Sequence, residues 1–297
     1  MAARRGVKPL FLLPFLALLA LLTVPAVPAA PAQATATARY VALGDSFTAG
    51  PLIPVQYGNP LGCLRSTKNY AAVAARRLSV GTFIDVSCSG ADTGDMTSPQ
   101  EVPLGTNPPQ FNALTADTTL VTVGIGGNDI GYTGIIETCA ERSFDNPFGS
   151  PCKAHFGGEL DQRIAATTPK IAAVLDGIRQ RAPQARVLVV GYLRLLPAGR
   201  GCWPVVPVAW GDVPWLDGIE RSLNGMLADQ AARHGAGFVD AYAGGNGHDM
   251  CASPTQKWVE GLVPTSPAAP VHPNAAGMAV VADRVVAAVS AALSADR

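Results

Sequence analysis

Charge is sparse in this 297-residue chain and neither sign prevails: Asp, Glu, Lys and Arg make up 15% of it, with 22 cations against 22 anions. Without an excess of cations there is no basic surface of the kind that neutralises phosphates, which excludes nucleic acid as a partner. Histidine is scarce too, at four residues, and no C-x-x-C pair exists among the six cysteines. No histidine stands at zinc-ligand spacing from a cysteine pair, and His and carboxylates do not cluster, so a metal-dependent hydrolase has no ligands to work with. Internal repeats are absent, and low complexity is confined to the Ala/Pro/Thr stretch around residues 25–38. Long apolar runs are missing apart from Leu10 to Val24. That run is shorter than the roughly 20 residues a membrane span requires, and Pro14 interrupts it.

What surrounds the run gives it a different meaning. Arg4, Arg5 and Lys8 precede it, and small residues ending in Ala32-Gln33-Ala34 follow. Positive, apolar and A-x-A segments in that order read as a secretory signal peptide over residues 1–34, cut after Ala34. The adjacent arginines raise a twin-arginine signal, but the residues after them fit that pattern poorly. Cleavage removes three cations and no acid, leaving 19 Lys+Arg against 22 Asp+Glu, a formal charge of −3 over 263 residues. That length suits one large domain with a sizeable core.

All six cysteines lie in the exported part: Cys63, Cys88, Cys139, Cys152, Cys202 and Cys251. An even count in an oxidising compartment points to three disulfides. About fifteen pairings are possible for six cysteines; neighbour pairing, 63–88, 139–152 and 202–251, closes the shortest loops at the least entropic cost.

Short β-type runs alternate with longer helix-type runs. Tyr40–Leu43, Thr82–Val86, Thr119–Ile125, Arg186–Val190 and Phe238-Val239 read as strands. Tyr70–Leu78, Ile164–Arg181, Leu216–His234 and Ala275–Leu293 read as helices, the last opened by Pro273. Alternation of this kind, with strands that are continuously apolar, predicts an α/β fold of three layers around a parallel sheet. Such sheets bind ligands beyond the carboxyl ends of their strands, so the segments there deserve the closest reading.

Ser46 lies in Gly44-Asp45-Ser46-Phe47-Thr48-Ala49-Gly50, directly after the first strand. A serine there is exposed at the sheet edge beside a helix N-terminus, whose N–H groups suit a developing anion. It is not the G-x-S-x-G elbow, because position 48 is Thr. The bland alternative is a serine capping a helix in a Gly-rich turn. Gly126-Gly127-Asn128-Asp129 follows the Thr119–Ile125 strand; the Asn128 amide is suited to donate to an oxyanion. Turn capping would also explain it, and Asp129 is assigned that structural role. Cys88-Ser89-Gly90-Ala91 offers a backbone N–H at Gly90. Of the histidines, His272 in Val271-His272-Pro273-Asn274 sits at a rigid junction before the last helix. His234 falls at a helix end, His155 in a Gly-rich insertion, and His248, beside Asp249 and Cys251, is the rival base.

In this order the pieces closely resemble the GDSL/SGNH hydrolase superfamily: an early GDS, a glycine in a second block, GGND, and a histidine before Pro-Asn near the C-terminus. Within it the six cysteines and the Gly247-His248-Asp249 loop look like the secreted actinobacterial lipases, esterases and phospholipases. The resemblance implies a flavodoxin-like sheet, three sequential disulfides and no cofactor. It implies Ser46 as nucleophile, His272 as general base, and an oxyanion hole of the Ser46 N–H, the Gly90 N–H and Asn128 Nδ2. One position departs from the family pattern. The acid that commonly lies three residues before the histidine is replaced by Ala269, in Ala269-Pro270-Val271-His272. A main-chain carbonyl at Ala269 or Pro270 is then the expected support for the imidazole, making a Ser–His dyad.

The implied chemistry is cleavage of acyl esters by a lipase or carboxylesterase, with phospholipase A1 the close alternative and carbohydrate O-deacetylase a more distant one. Trp203, Trp210 and Trp215 fall in or beside the loop from Pro197 to Pro214, and Trp258 follows later. These aromatics suit either an acyl chain or lipid surface, or the core. A secreted binding module with a dead site would lack one of Ser46, Asn128 and His272, and all three are present. The expected protein is an extracellular monomer whose partners are small-molecule or lipid esters, with transient contact at a lipid interface.

Overall fold

Tyr40, Val41, Ala42 and Leu43 are apolar without alternation, as a strand covered on both faces must be, and all four are fully buried. They belong to β1 (Arg39–Gly44) of the computed structural model, which describes residues 1–2 and 38–295. The apolar leader run and the expected cut after Ala34 lie outside the described residues. From β1 the chain passes through α1 (Ser46–Ala49) and α2 (Tyr70–Arg77) to β2 (Thr82–Asp85), then to β3 (Leu120–Gly124). Helices α3 (Tyr132–Ser143), α4 (Pro151–Phe156) and α5 (Glu159–Arg181) lead to β4 (Arg186–Val190). Helix α6 (Val213–Arg233) leads to β5 (Gly237–Val239), and α7 (Ala275–Ala295) follows.

The five strands form one parallel sheet in the order β2-β1-β3-β4-β5. Val41 lies opposite Ile84 of β2 and Val121 of β3. Right-handed crossovers send the β1–β2 connection over one face and the connections from β3 to β5 over the other. Accordingly α2 packs with α7 and α5 packs with α6, giving the three layers expected. Leu160, Ile171 and Ile178 of α5 are at most 1% exposed; each such side chain contributes about 1.5–3 kcal/mol relative to exposure. The strand order reverses between β1 and β3. A crevice opens there, at their carboxyl ends.

The elements differ from the sequence reading where local signals were weak. Helix α5 starts at Glu159, five residues before the apolar periodicity begins, with Glu159 and Asp161 complementing its N-terminal dipole and Glu159 pairing with Arg163. Helix α3 starts after Gly131, which has no side chain to cap it, so nothing in the sequence announces it. His155, in the Gly-rich insertion, sits in helix α4 between Gly149 and Gly157. The start of α4 is capped from afar: Asp212, just before α6, accepts the Cys152 and Lys153 N–H groups at 2.9 and 2.8 Å.

The six cysteines pair as 63–88, 139–152 and 202–251, the neighbour pairing that loop entropy favours. The first bridge anchors the segment after β2, where Ser89 N–H also donates to the Cys63 carbonyl.

Candidate active site

Gly44 closes β1, and no other residue fits there. Its φ is +148°, and a Cβ would come within 2.3 Å of Thr48 Oγ1 and 2.5 Å of the Gly124 carbonyl. Buried Gln110 grips it from the side, accepting the Gly44 N–H at 2.7 Å and donating to its carbonyl at 2.9 Å. The next residue, Asp45, is the N-cap of α1, accepting the Phe47 N–H at 2.8 Å. Capping is therefore done by Asp45, and the Ser46 hydroxyl is free for another partner. That partner is His272: Nε2 lies 2.8 Å from Ser46 Oγ across 226 residues of sequence.

The other ring nitrogen settles the tautomer. His272 Nδ1 is 2.7 Å from the Pro270 carbonyl, which can only accept, so Nδ1 carries the proton and Nε2 presents a lone pair to Ser46. The Ala269 carbonyl is engaged elsewhere, accepting the main-chain N–H of His272 at 3.2 Å. Between Pro270 and His272, Val271 adopts φ 62°, a left-handed conformation that β-branched residues rarely take. This turn brings the Pro270 carbonyl back against the ring two residues on. The loop is held to its neighbours by Ala269 N–H to Pro51 carbonyl and Glu260 N–H to His272 carbonyl, at 3.0 and 2.9 Å. Phe47 packs 5.1 Å from the imidazole and edge-on to Tyr192.

Asn128 lies on the same cavity, with Nδ2 donating one hydrogen to the Ala91 carbonyl at 2.7 Å. That bond orients the amide so that its second hydrogen remains for a ligand. Gly90, next to Ala91, is exposed and is not among the residues lining the cavity. Its φ is +83°, and its N–H has no partner among the described residues. Asp129 turns away: it accepts Thr93 N–H and Oγ1 at 3.0 and 2.6 Å and pairs with Lys170, locking the third block to the second. The rival His248 is occupied in a separate place, stacked on Trp258 with Nδ1 2.6 Å from the Gln256 carbonyl. His234 ends α6 beside Asp176.

The cavity itself is about 150 Å³ and mostly apolar, with Ile136, Leu195, Leu223 and Leu262 in its wall. None of the four tryptophans lines it. Trp203, Trp210 and Trp215 pack on Phe144, Phe148 and Phe156 instead, so the apolar wall comes from aliphatic side chains together with Phe47, Tyr132 and Tyr192. Tyr192, which no sequence motif marks, ties the site together: its hydroxyl donates to Asp45 Oδ2 at 2.6 Å and accepts the Gly127 N–H at 2.7 Å.

Burial sets the local electrostatics. It pushes the Asp45 carboxyl up to about 7, against the opposing hydrogen bonds from Tyr192 and Phe47. It pulls His272 below its ordinary 6.5, with the Pro270 hydrogen bond opposing. A base whose charged form is disfavoured stays neutral to lower pH. The acid limb that His272 sets in kcat/KM is therefore expected below pH 6.5; in an Asp45→Asn variant, where the neighbouring carboxyl no longer titrates, a limb above that value would contradict it. Asn128→Ala should fold normally and lose roughly 10²–10³ in kcat, the range for one oxyanion donor. Near-normal turnover would leave Asn128 a turn residue only.

The model of the GDSL-like lipase/acylhydrolase family matches residues 42–280, which contain all of these groups. A lipase of Streptomyces coelicolor is 41% identical over 251 residues, 82% of this chain and 83% of that protein. An esterase of Streptomyces scabiei is 32% identical over 248 residues, 71% of this chain and 72% of its own. Among solved structures, the phospholipase A1 of Streptomyces albidoflavus superposes with a TM-score of 0.68 at 29% identity, over 83% of this chain and 98% of that one. The extracellular lipase of Streptomyces rimosus gives 0.67 at 29%, over 83% and 99%.

Proposed function

Since the chain belongs to the GDSL-like lipase/acylhydrolase family, we propose that it hydrolyses acyl esters through an acyl-Ser46 intermediate formed by a Ser46–His272 dyad. It is a carboxylic ester hydrolase. The observation that carries the reading is the relay from the Pro270 carbonyl through His272 to Ser46 Oγ, at 2.7 and 2.8 Å. As Ser46 Oγ attacks the ester carbonyl, its proton passes to His272 Nε2, and the carbonyl oxygen becomes an anion. The Ser46 N–H and the spare hydrogen of Asn128 Nδ2 receive that charge at the cavity, joined by the Gly90 N–H, which lies off the cavity lining but has no other partner among the described residues. Collapse expels the alcohol, which takes the proton back from His272. Water, deprotonated by the same nitrogen, then releases the acid and restores Ser46.

The acyl group occupies the mostly apolar cavity beside Ser46. Lipase or carboxylesterase activity suits that cavity and the lipase and esterase relatives, and the likeness to a phospholipase A1 favours phospholipids as a second substrate class. Residues 1–34 act as a signal peptide, and three disulfides suit the oxidising exterior it leads to. The enzyme works as a monomer that touches lipid surfaces transiently; exposed Phe144, Phe148 and Val205 beside Trp203 and Trp210 support that contact.

Purified mature protein should begin at Thr35 and hydrolyse p-nitrophenyl acyl esters with or without a chelator. Release of fatty acid from triglyceride, from phosphatidylcholine, or of acetate from an acetylated sugar then assigns the class. No hydrolysis of any of these esters would refute the reading.

A further inference from the structure

An apolar pocket wall has no use for a carboxylic acid, yet Glu220 of α6 lines the same cavity as Ser46 and His272. The residue is 1% exposed. Its Oε2 accepts the Leu195 N–H at 3.1 Å, whereas Oε1 is buried with no hydrogen-bond partner among the described residues. Tyr132, at the start of α3 and also on the cavity, has its hydroxyl buried and equally without a partner. Buried polar groups are nearly always satisfied, so two unsatisfied groups on one substrate cavity need a reason. Burial pushes the Glu220 carboxyl well above its ordinary range; Asp217 and Asp249 add to this, and the Leu195 N–H and Arg194 oppose it. The protonated acid is thus favoured, and it has a hydrogen to donate as well as an oxygen to accept. The phenol of Tyr132 has the same two capacities. A hydroxyl group answers both, donating to one and accepting from the other.

We infer that Glu220 and Tyr132 are specificity-determining residues that recognise a hydroxyl carried on the acyl chain, so that hydroxyacyl esters are preferred to unsubstituted esters of equal length. The inference rests on the reading that the acyl group enters this cavity. It goes beyond that reading by naming which acyl groups fit. Sites built to hydrogen-bond a substrate hydroxyl reject the analogue lacking it, because their own polar groups are then left unpaired.

The test compares kcat/KM for methyl hexanoate, octanoate and decanoate with the corresponding ω-hydroxy esters, which step the hydroxyl along the cavity. At one length at least, the hydroxy ester should be preferred by roughly tenfold or more. Tyr132→Phe, which removes only the hydroxyl, and Glu220→Gln, which keeps an acceptor for Leu195 N–H, should each lower that ratio several-fold. Glu220→Leu should bring it below one. Fluorophosphonate labelling of Ser46 in each variant shows that the site is assembled. A wild-type ratio at or below one at every length overturns the inference, the two groups then being held by bridging water. A preference that survives both Tyr132→Phe and Glu220→Gln overturns it too, since the hydroxyl would be read elsewhere. Hydrolysis of the plain esters in either case leaves the dyad mechanism standing, whereas no hydrolysis of any ester removes both.

Discussion

Ser46→Ala is expected to lower ester turnover by at least about 10³-fold, with substrate binding changed little. The expectation follows from position as well as residue type. Ser46 Oγ is relieved of capping by Asp45, faces His272 Nε2 at 2.8 Å, and stands at the carboxyl end of β1 where the sheet order reverses. Fluorophosphonate should label intact protein on Ser46 and leave the alanine variant unlabelled. Substantial turnover in the variant, or a label on another residue, would move the nucleophile elsewhere.

His272→Ala should cost at least about 10⁴-fold in kcat, while no carboxylate replacement approaches that loss. The three acids nearest upstream are each engaged in holding backbone. Asp240 accepts the Tyr242 and Ala243 N–H groups, and Asp249 accepts the Cys251 N–H. Glu260 accepts from Thr265 and from Asn274, whose own side chain caps α7. Asp240→Asn, Asp249→Asn and Glu260→Gln should therefore lower kcat far less than His272→Ala. The Pro270 carbonyl orients the ring but offers a dipole where a triad offers a full negative charge, so the imidazolium is stabilised less. A 10⁴-fold loss in any one of the three variants, the size expected when a triad aspartate is neutralised, would reveal a hidden triad.

Strands β1, β3 and β4 were legible in the sequence because burial on both faces leaves them continuously apolar. The hairpins Gln56–Ser66 and Gln100–Asn107 were not, since two or three residues per strand carry no period. Ser46, Asn128 and His272 could be picked out because each sits in a short, chemically unusual motif after a strand or before a helix. The groups that arrange or accompany them could not. Tyr192 and Gln110 hold the Ser46 and Asn128 loops across 147 and 66 residues of sequence, and Glu220 on the cavity wall bonds across 25; a lone Tyr, Gln or Glu has no local pattern to betray such a contact. The choice between the Ala269 and Pro270 carbonyls likewise depended on the φ of Val271, which residue identity does not encode. The tryptophans left two roles open for a related reason: composition reports how much aromatic surface a segment has, not which way it faces.

The left-handed valine at 271 sets two kinds of selection against each other. A conformation of that kind carries about 1–3 kcal/mol of strain, and glycine there would release it. The same release would loosen the turn that presents the Pro270 carbonyl to the imidazole. Breeding this enzyme in the laboratory for heat resistance alone would thus welcome Val271→Gly and drift toward a hardier, slower catalyst. Breeding it for speed would keep the valine and look for robustness in places distant from the loop.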